Sequence, residues 1–338
     1  MAEGSNFTMY PRLQLAYAAE FAIWGSWSYK LGGWGGETGV SVGTLYTAFA
    51  LGALFSPLVG PIADKKFAAQ KVFAFMQLLC GAALLACHFL CGMENVTAGM
   101  LWAPMFIAGI AFMPSIPLLN AIVFKHVPDK AKCPWIFIFG TIGWILVNYV
   151  VTTSQFFLVG GGVAIALALY ALTLPNTPPS GSKNEDPFGF KALSLFKRPD
   201  FFVFMLCAFM VGIFGSNYYF GFVDTCFPDK GVYNQYSEII FMAALSFAVP
   251  KLGLKKVLAI GMGAWGVRYL CFASMNDHLA LIGLLCHGGA YAFLYTAAYM
   301  YADKVAPEEM KASVQALVAF LLLGVAQALS GVSIDYIK

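Results

Sequence analysis

The sequence predicts an all-α polytopic membrane protein, and three observations carry that prediction. Eleven apolar stretches, most of them long enough to cross a bilayer, take up most of the 338 residues. The composition agrees, since 60% hydrophobic and 11% charged residues with a mean hydropathy of +0.73 lie far outside the soluble globular range. Nearly all the basic residues sit in alternate gaps between the apolar stretches. Crossing ~30 Å of hydrocarbon takes about 20 helical residues, and a helix satisfies its own backbone groups in lipid without closing a barrel.

The spans follow in order. The first, 13–32, is too long for a cleavable leader and reads as a true span. Span 2 (41–63) stops before Asp64-Lys65-Lys66, and span 3 (70–92) begins just after that loop. Span 4 (98–124) runs into Lys125-His126-Val127-Pro128, and spans 5 (135–153) and 6 (155–174) follow, the last closed by Pro175. The segment 175–199, PNTPPSGSKNEDPFGFKALSLFKRP, is rich in Pro, Ser, Gly and charge and reads as a linker. Its second half, Phe188 to Phe196, has the pattern of a short amphipathic helix lying at a membrane surface. Spans 7 to 11 are placed at 200–223, 234–250, 254–273, 279–302 and 311–334.

Charge sets the topology, because Lys and Arg of short loops stay on the cytoplasmic side. Alternate gaps hold 16 of the 20 basic residues, starting with Arg12 before span 1. The opposite side holds Lys30, Lys230 and Lys338, and Arg268 lies within span 9. The N-terminus is therefore expected in the cytoplasm and the chain in the cell (inner or plasma) membrane. The net charge of +3 reads as topology, with no nucleic-acid partner implied.

An internal repeat is visible. SPLVGPIADKKFAAQKVFAF after span 2 and SFAVPKLGLKKVLAIGM after span 8 share an apolar span, a Pro, a basic loop and a Lys-Val start. The expected organisation is an N-terminal six-helix half (1–174), a cytoplasmic linker (175–199) and a C-terminal half of five spans (200–338). A twelfth span is expected to be missing, because the sequence stops four residues after Ile334. Two homologous halves on a linker form a transporter layout, with the site between them near the midplane.

The motifs then point to a family. Gly60-Pro61-Ile62-Ala63-Asp64-Lys65-Lys66 resembles the 2–3 loop signature of the major facilitator superfamily. More specific segments resemble its nucleoside:proton symporters. They are Trp24-Gly25-Ser26-Trp27, Phe139-Gly140-Thr141-Ile142-Gly143-Trp144, Leu172-Thr173-Leu174-Pro175, Gln235-Tyr236-Ser237-Glu238 and Trp265-x-x-Arg268-Tyr269, then Asp303-Lys304-x-x-Pro307 and Lys311-Ala312-Ser313-x-Gln315. They appear in order along nearly the whole chain. The resemblance implies a major facilitator fold and proton-coupled import of nucleosides by alternating access, and the chain is expected to be a monomer. It implies a gating loop at Gly60, Asp64 and Lys65, whose Asp near helix ends can hold the halves together in one state and release them in another. Two positions depart from the family: Phe137 stands where it carries an Arg, and Ala292 where it carries an Asp, both implicated in nucleoside binding. These departures leave open a symporter of another small polar solute such as a sugar. The missing span leaves open a non-transporting sensor or a decayed fragment.

An ionisable side chain inside a span is costly and is a functional candidate by default. Glu238 in span 8, with Gln235 one turn away, is the first proton-coupling candidate, and a structural ion pair with Arg268 of span 9 is the alternative reading. Glu20, one turn before Trp24 and so able to face the same cavity, is the second. Aromatic faces suit a flat base, which makes Trp24, Trp144, Tyr218, Tyr219 and Tyr291 lining candidates, with Thr141 and Asn217 as hydrogen-bonding groups. His287 and His88 lie in spans and read mainly as packing, as do the eight cysteines, whose spacing suits no metal. No hydrolase elbow, Walker A loop or dinucleotide fingerprint occurs. The reading is of a transporter and not an enzyme, driven by the proton gradient, with no cofactor and no metal.

Overall fold

A computed structural model of the chain describes the backbone of residues 3–28, 30–180, 190–218, 232–327 and 329, and the side chains of 9–28, 30–180, 190–213, 233–327 and 329. Each expected span contains a helix among the described residues. These are α1 (Glu3–Ser28), α2 (Gly43–Lys65), α3 (Ala69–Cys91), α4 (Ala98–His126), α5 (Pro134–Val150) and α6 (Phe156–Ala171), followed by α7 (Pro199–Tyr218), α8 (Val232–Leu252), α9 (Leu254–Ala273), α10 (Asp277–Val305) and α11 (311–325). A short extra helix, Lys30–Thr38, follows α1 where the sequence suggested that span 1 ran on to residue 32.

Five of these helices (α2, α3, α4, α10 and α5 with the turn before it) are by length and composition alone sufficient to cross a membrane. Large apolar side chains such as Phe75, Phe89, Leu146, Leu169 and Leu270 are more than half exposed. In a bilayer they meet acyl chains, and helix association then rests on close packing more than on removal from water. Gly52 of α2 and Gly109 of α4 show this directly. A Cβ on Gly52 would lie 1.9 Å from the Gly109 carbonyl carbon, so only glycine allows this backbone crossing.

Helices α1 to α6 pack on one another, and α8 packs with α9 and α10. The two groups meet chiefly through α2 and α4 against α11, and α5 against α8. The linker begins fastened to the first group. Ala69 N donates to Thr177 O (2.9 Å), Thr177 N to Gln70 Oε1 (2.9 Å), and Gln70 Nε2 to Asn176 Oδ1 (2.8 Å).

Two local features differ from the sequence expectation. The expected amphipathic helix over Phe188–Phe196 is a 3₁₀ segment, Phe190–Lys197, with Ala192 and Leu195 buried, while 188–189 lie outside the described residues. Span 10 contains a π-helical turn, Tyr291–Thr296. Such a turn inserts about one residue, or ~100° of rotation, and re-aims everything after it. Tyr291, Tyr295 and Tyr299, spaced by four, thereby all reach one cavity wall.

Candidate functional site

A cavity of about 130 Å³ lies between the two helix groups, lined by α1, α4 and α5 on one side and α8 to α11 on the other. A smaller one of about 30 Å³ adjoins it towards the end of the molecule that bears the basic loops. Both contain Thr141, Glu238, Tyr291, Tyr295 and Tyr299 in their walls.

The first-group wall is aromatic. Trp24 and Trp144 stand edge to face, ring centroids 5.5 Å apart at 76°, and Trp24 also meets Phe112 at 5.9 Å. Gly25 makes room for this, since a Cβ there would sit 3.0 Å from the Trp144 ring. Opposite stand the polar groups. Glu238 is buried near the start of α8, and Thr141 Oγ1 of α5 donates a hydrogen bond to Glu238 Oε1, a contact between the two helix groups. Gln235, one turn before Glu238, lines the larger cavity. Glu238 is held in register by a close crossing of α8 and α10. Gly288 N donates to Ser237 Oγ at 3.0 Å, and a Cβ on Gly288 would come within 2.3 Å of the Ser237 carbonyl.

The expected Arg268–Glu238 pair is not made directly, because His287 stands between them. Arg268 Nη1 lies 2.7 Å from His287 Nδ1, and His287 Nε2 lies 3.8 Å from Glu238 Oε2. Arg268 is fully buried, its guanidinium carbon 5.1 Å from the Trp265 ring centroid and 5.4 Å from that of Phe272. Such faces offset part of the cost of burying a cation.

Glu20 does not share the cavity with Trp24. It is fully buried among α1, α3 and α4, with Gln77 Nε2 2.5 Å from Oε2 and Ser115 Oγ 2.5 Å from Oε1. The four-residue spacing from Trp24 gave a shared face, but neighbouring helices take up the arc holding Glu20 and leave Trp24 at the rim. The two family departures also separate. Phe137 lines the smaller cavity and packs on Tyr17 at 4.8 Å, where Tyr17 OH donates to Asn120. Ala292 is fully buried and lines neither cavity. The side chains of Asn217 and Tyr218, and all of Tyr219, lie outside the described residues.

At the basic-loop end the groups are closed on each other. Asp64 Oδ1 accepts from Ala312 N (3.1 Å), and Oδ2 accepts from Ser313 N (2.8 Å) and Ser313 Oγ (2.6 Å). A carboxylate from α2 thus caps the first turn of α11, where unpaired N–H groups and the helix dipole favour an anion. Gly60 lets the helices approach, as a Cβ there would lie 2.8 Å from Ser313 Cα, while Lys65 is buried beside Asp64 on α2. Glu308 adds a second tie, with Lys125 Nζ at 3.3 Å and Lys311 Nζ at 3.1 Å. Its carboxyl is held below the ordinary value, first by the Lys311 hydrogen bond and then by Lys125.

The structure therefore brings together Trp24, Thr141, Trp144, Gln235, Glu238 and Tyr291 in one wall system. Sequence reasoning passed over Trp265, Tyr295 and Tyr299, and treated His287 as packing. The four-residue spacing His287, Tyr291, Tyr295, Tyr299 was the signal that could have found the α10 face.

Residues 7–337 match the family described as nucleoside H+ symporter. The transporter YegT of Escherichia coli (strain K12) is 33% identical over 349 residues, covering 93% of this chain and 80% of that protein. The xanthosine permease of the same organism is 27% identical over 371 residues, covering 96% and 88%. The crystal structure of the nucleoside transporter NupG superposes with a TM-score of 0.66 at 24% identity, covering 96% of this chain and 89% of that one, which supports the fold.

Proposed function

Because the chain belongs to the nucleoside H+ symporter family, we propose that it carries a nucleoside and protons together across the membrane by alternating access between its two helix groups. The observation that carries this reading is Glu238, the only carboxylate lining the cavity among the described residues, bonded across the groups to Thr141. A buried carboxyl that can be neutralised is suited to bind and release a proton as access alternates.

The positive-inside pattern supports a cytoplasmic basic-loop end and a cytoplasmic N-terminus. The closed Asp64 and Glu308 contacts then lie at the cytoplasmic side, and the cavity belongs to a state closed inward. Residues 1–174 and 200–338 act as the two rocking bodies and 175–199 as the tether. The flat base packs against Trp24, Trp144 and Tyr291, where any π-face is accepted. The hydroxyl-rich ribose offers donors to Glu238 and Gln235. Asn217 and Tyr218, near the end of α7, are placed by sequence alone among the substrate contacts. Phe137 replaces a cation with an aromatic face in the wall of the smaller cavity, apart from the Trp24 and Trp144 rings.

Radiolabelled uridine and adenosine uptake by cells lacking their own nucleoside transport tests this reading. Uptake that collapses when a protonophore is added is the expected result. A correctly inserted protein that takes up neither nucleoside would overturn it.

A further inference from the structure

Two buried titratable groups flank the transport path, and a count of hydrogens fixes the protonation of each. The first is Glu20. Four short polar contacts form a network of its carboxyl with Gln77, Ser115 and the Phe112 carbonyl: Gln77 Nε2 to Glu20 Oε2 (2.5 Å), Gln77 Nε2 to Ser115 Oγ (2.9 Å), Ser115 Oγ to Glu20 Oε1 (2.5 Å) and Ser115 Oγ to the Phe112 carbonyl oxygen (2.6 Å). Each contact needs one hydrogen. The Gln77 amide supplies two and the Ser115 hydroxyl one. The fourth can come only from Glu20, as a neutral acid that donates to Ser115 Oγ while Ser115 donates to Phe112. An ionised carboxylate would leave one pair of oxygens at hydrogen-bonding distance with no hydrogen between them. Turning the Gln77 amide over sets a carbonyl oxygen against Glu20 Oε2 and strengthens the same demand.

The other titratable groups facing Glu20 are Tyr17 on its own helix and Cys80 on α3, both neutral hydrogen carriers. Among the described residues no ion pair includes it. It lines neither cavity.

The second group is His287. A guanidinium only donates, so Nδ1, 2.7 Å from Arg268 Nη1, is the accepting nitrogen. The ring hydrogen is then on Nε2, the atom 3.8 Å from Glu238 Oε2. A second proton, on Nδ1, would set two donors against each other. His287 is thus a fixed N–H beside Glu238, whose neighbours among the described residues include Thr141 from α5 and Tyr291 from α10.

Resting on the symport reading above, we propose that a single proton accompanies each nucleoside, carried by Glu238, while Glu20 keeps its proton throughout the cycle and His287 remains neutral as the residue that positions Glu238 Oε2. Of Glu238, Glu20 and His287, the first moves a proton and the other two are held.

The test uses the full chain in proteoliposomes without a membrane potential. One proton per nucleoside balances a roughly tenfold nucleoside gradient against an opposing gradient of about one pH unit. Balance at half that gradient means two protons and overturns the proposal. Glu20→Gln, which supplies the missing hydrogen from an amide, keeps the balance point and the uptake rate, and loss of coupling in it would return Glu20 to the proton path. In infrared spectra the carbonyl stretch of a protonated carboxylic acid present in the wild type disappears in Glu20→Gln. Its absence from the wild type at neutral pH refutes the hydrogen count. Nitrogen-15 spectra of histidine-labelled protein, assigned with His287→Gln, show one protonated ring nitrogen from about pH 5 to about pH 8. An imidazolium signal from His287 in that range overturns its positioning role. A chain that moves no nucleoside removes the symport reading and the stoichiometry together, while the spectra still decide Glu20 and His287 on their own.

Discussion

Thr141 of α5 and Glu238 of α8 are bonded to each other across the boundary between the two helix groups, Oγ1 to Oε1, in the wall shared by both cavities. Rocking one group against the other must stretch or break this contact. The protonation of Glu238 and the relative position of the groups are therefore linked through one hydroxyl.

Replacing Glu238 by Gln keeps a hydrogen-bonding end for Thr141 and removes the titrating proton. Proton-driven accumulation is expected to vanish while exchange of labelled for unlabelled nucleoside continues. Full uphill accumulation by Glu238→Gln would rule Glu238 out as the carrier. The partner change, Thr141→Val, leaves a buried carboxyl oxygen short of a donor, at about 1–3 kcal/mol. It should raise the half-saturating nucleoside concentration by roughly tenfold, and an unchanged value would show that the bond does not bear on binding.

Asp64→Ala removes three hydrogen bonds to the first turn of α11. Loss of a capping carboxylate costs about 0.5–2 kcal/mol, here in the state closed at the basic-loop end. The population opened at that end should rise several-fold. Labelling of a cysteine placed at Ala316, which is 2% exposed in the closed contact, by an impermeant maleimide in inside-out vesicles reads that population. Equal labelling with and without Asp64 would show that the cap does not govern opening.

Glu308 gives the same closure a pH limit. Its carboxyl is held below the ordinary value of 4.5 by the Lys311 hydrogen bond first and Lys125 next. A depressed carboxyl contributes its stabilisation above the ordinary value and loses it as pH falls through the lower, folded one. The Glu308 contribution to closure should therefore be indifferent to pH from about 8 to about 5 and be lost only in stronger acid. Because the Lys125–Glu308 pair is exposed, Glu308→Gln should cost no more than about 1 kcal/mol at neutral pH. The same maleimide assay run against pH decides this, and loosening already near pH 6 would assign the effect to another group.

Gly288→Ala drives a methyl to within 2.3 Å of the Ser237 backbone, next to Glu238. Overpacking of this kind costs about 1–3 kcal/mol, and here it displaces the Glu238 carboxyl as well. Uptake should fall at least tenfold, while Gly162→Ala, with nothing within 4 Å of the added carbon, should behave as wild type. Matching uptake in the two variants would mean that the α8–α10 crossing does not position Glu238.

The spans were legible because lipid imposes a single local rule, an apolar helix of sufficient length, which each segment satisfies without reference to the others. Glu238, Gln235, Thr141, Trp24, Trp144 and Tyr291 were legible from polar or aromatic character at family positions. The placement of Glu20 was not. Its spacing from Trp24 is correct, yet which arc of α1 faces a cavity depends on where α3 and α4 pack. The Arg268–His287–Glu238 order was also out of reach, since three helices must be brought together before one side chain can stand between two others.

By itself the sequence determined a helical membrane protein and the family whose motifs it carries, both read from local composition and spacing, and its basic loops carried only the expectation of a cytoplasmic side. Tertiary structure alone decided which buried acid touches the cavity and which is sealed by Gln77 and Ser115. It also decided that the π-helical turn sets Tyr291, Tyr295 and Tyr299 on the cavity wall, and that Asp64 caps a helix 248 residues away. The physical reason is one of range. Hydropathy acts residue by residue, whereas a hydrogen bond between helices exists only once packing has fixed the rotation of each helix about its own axis.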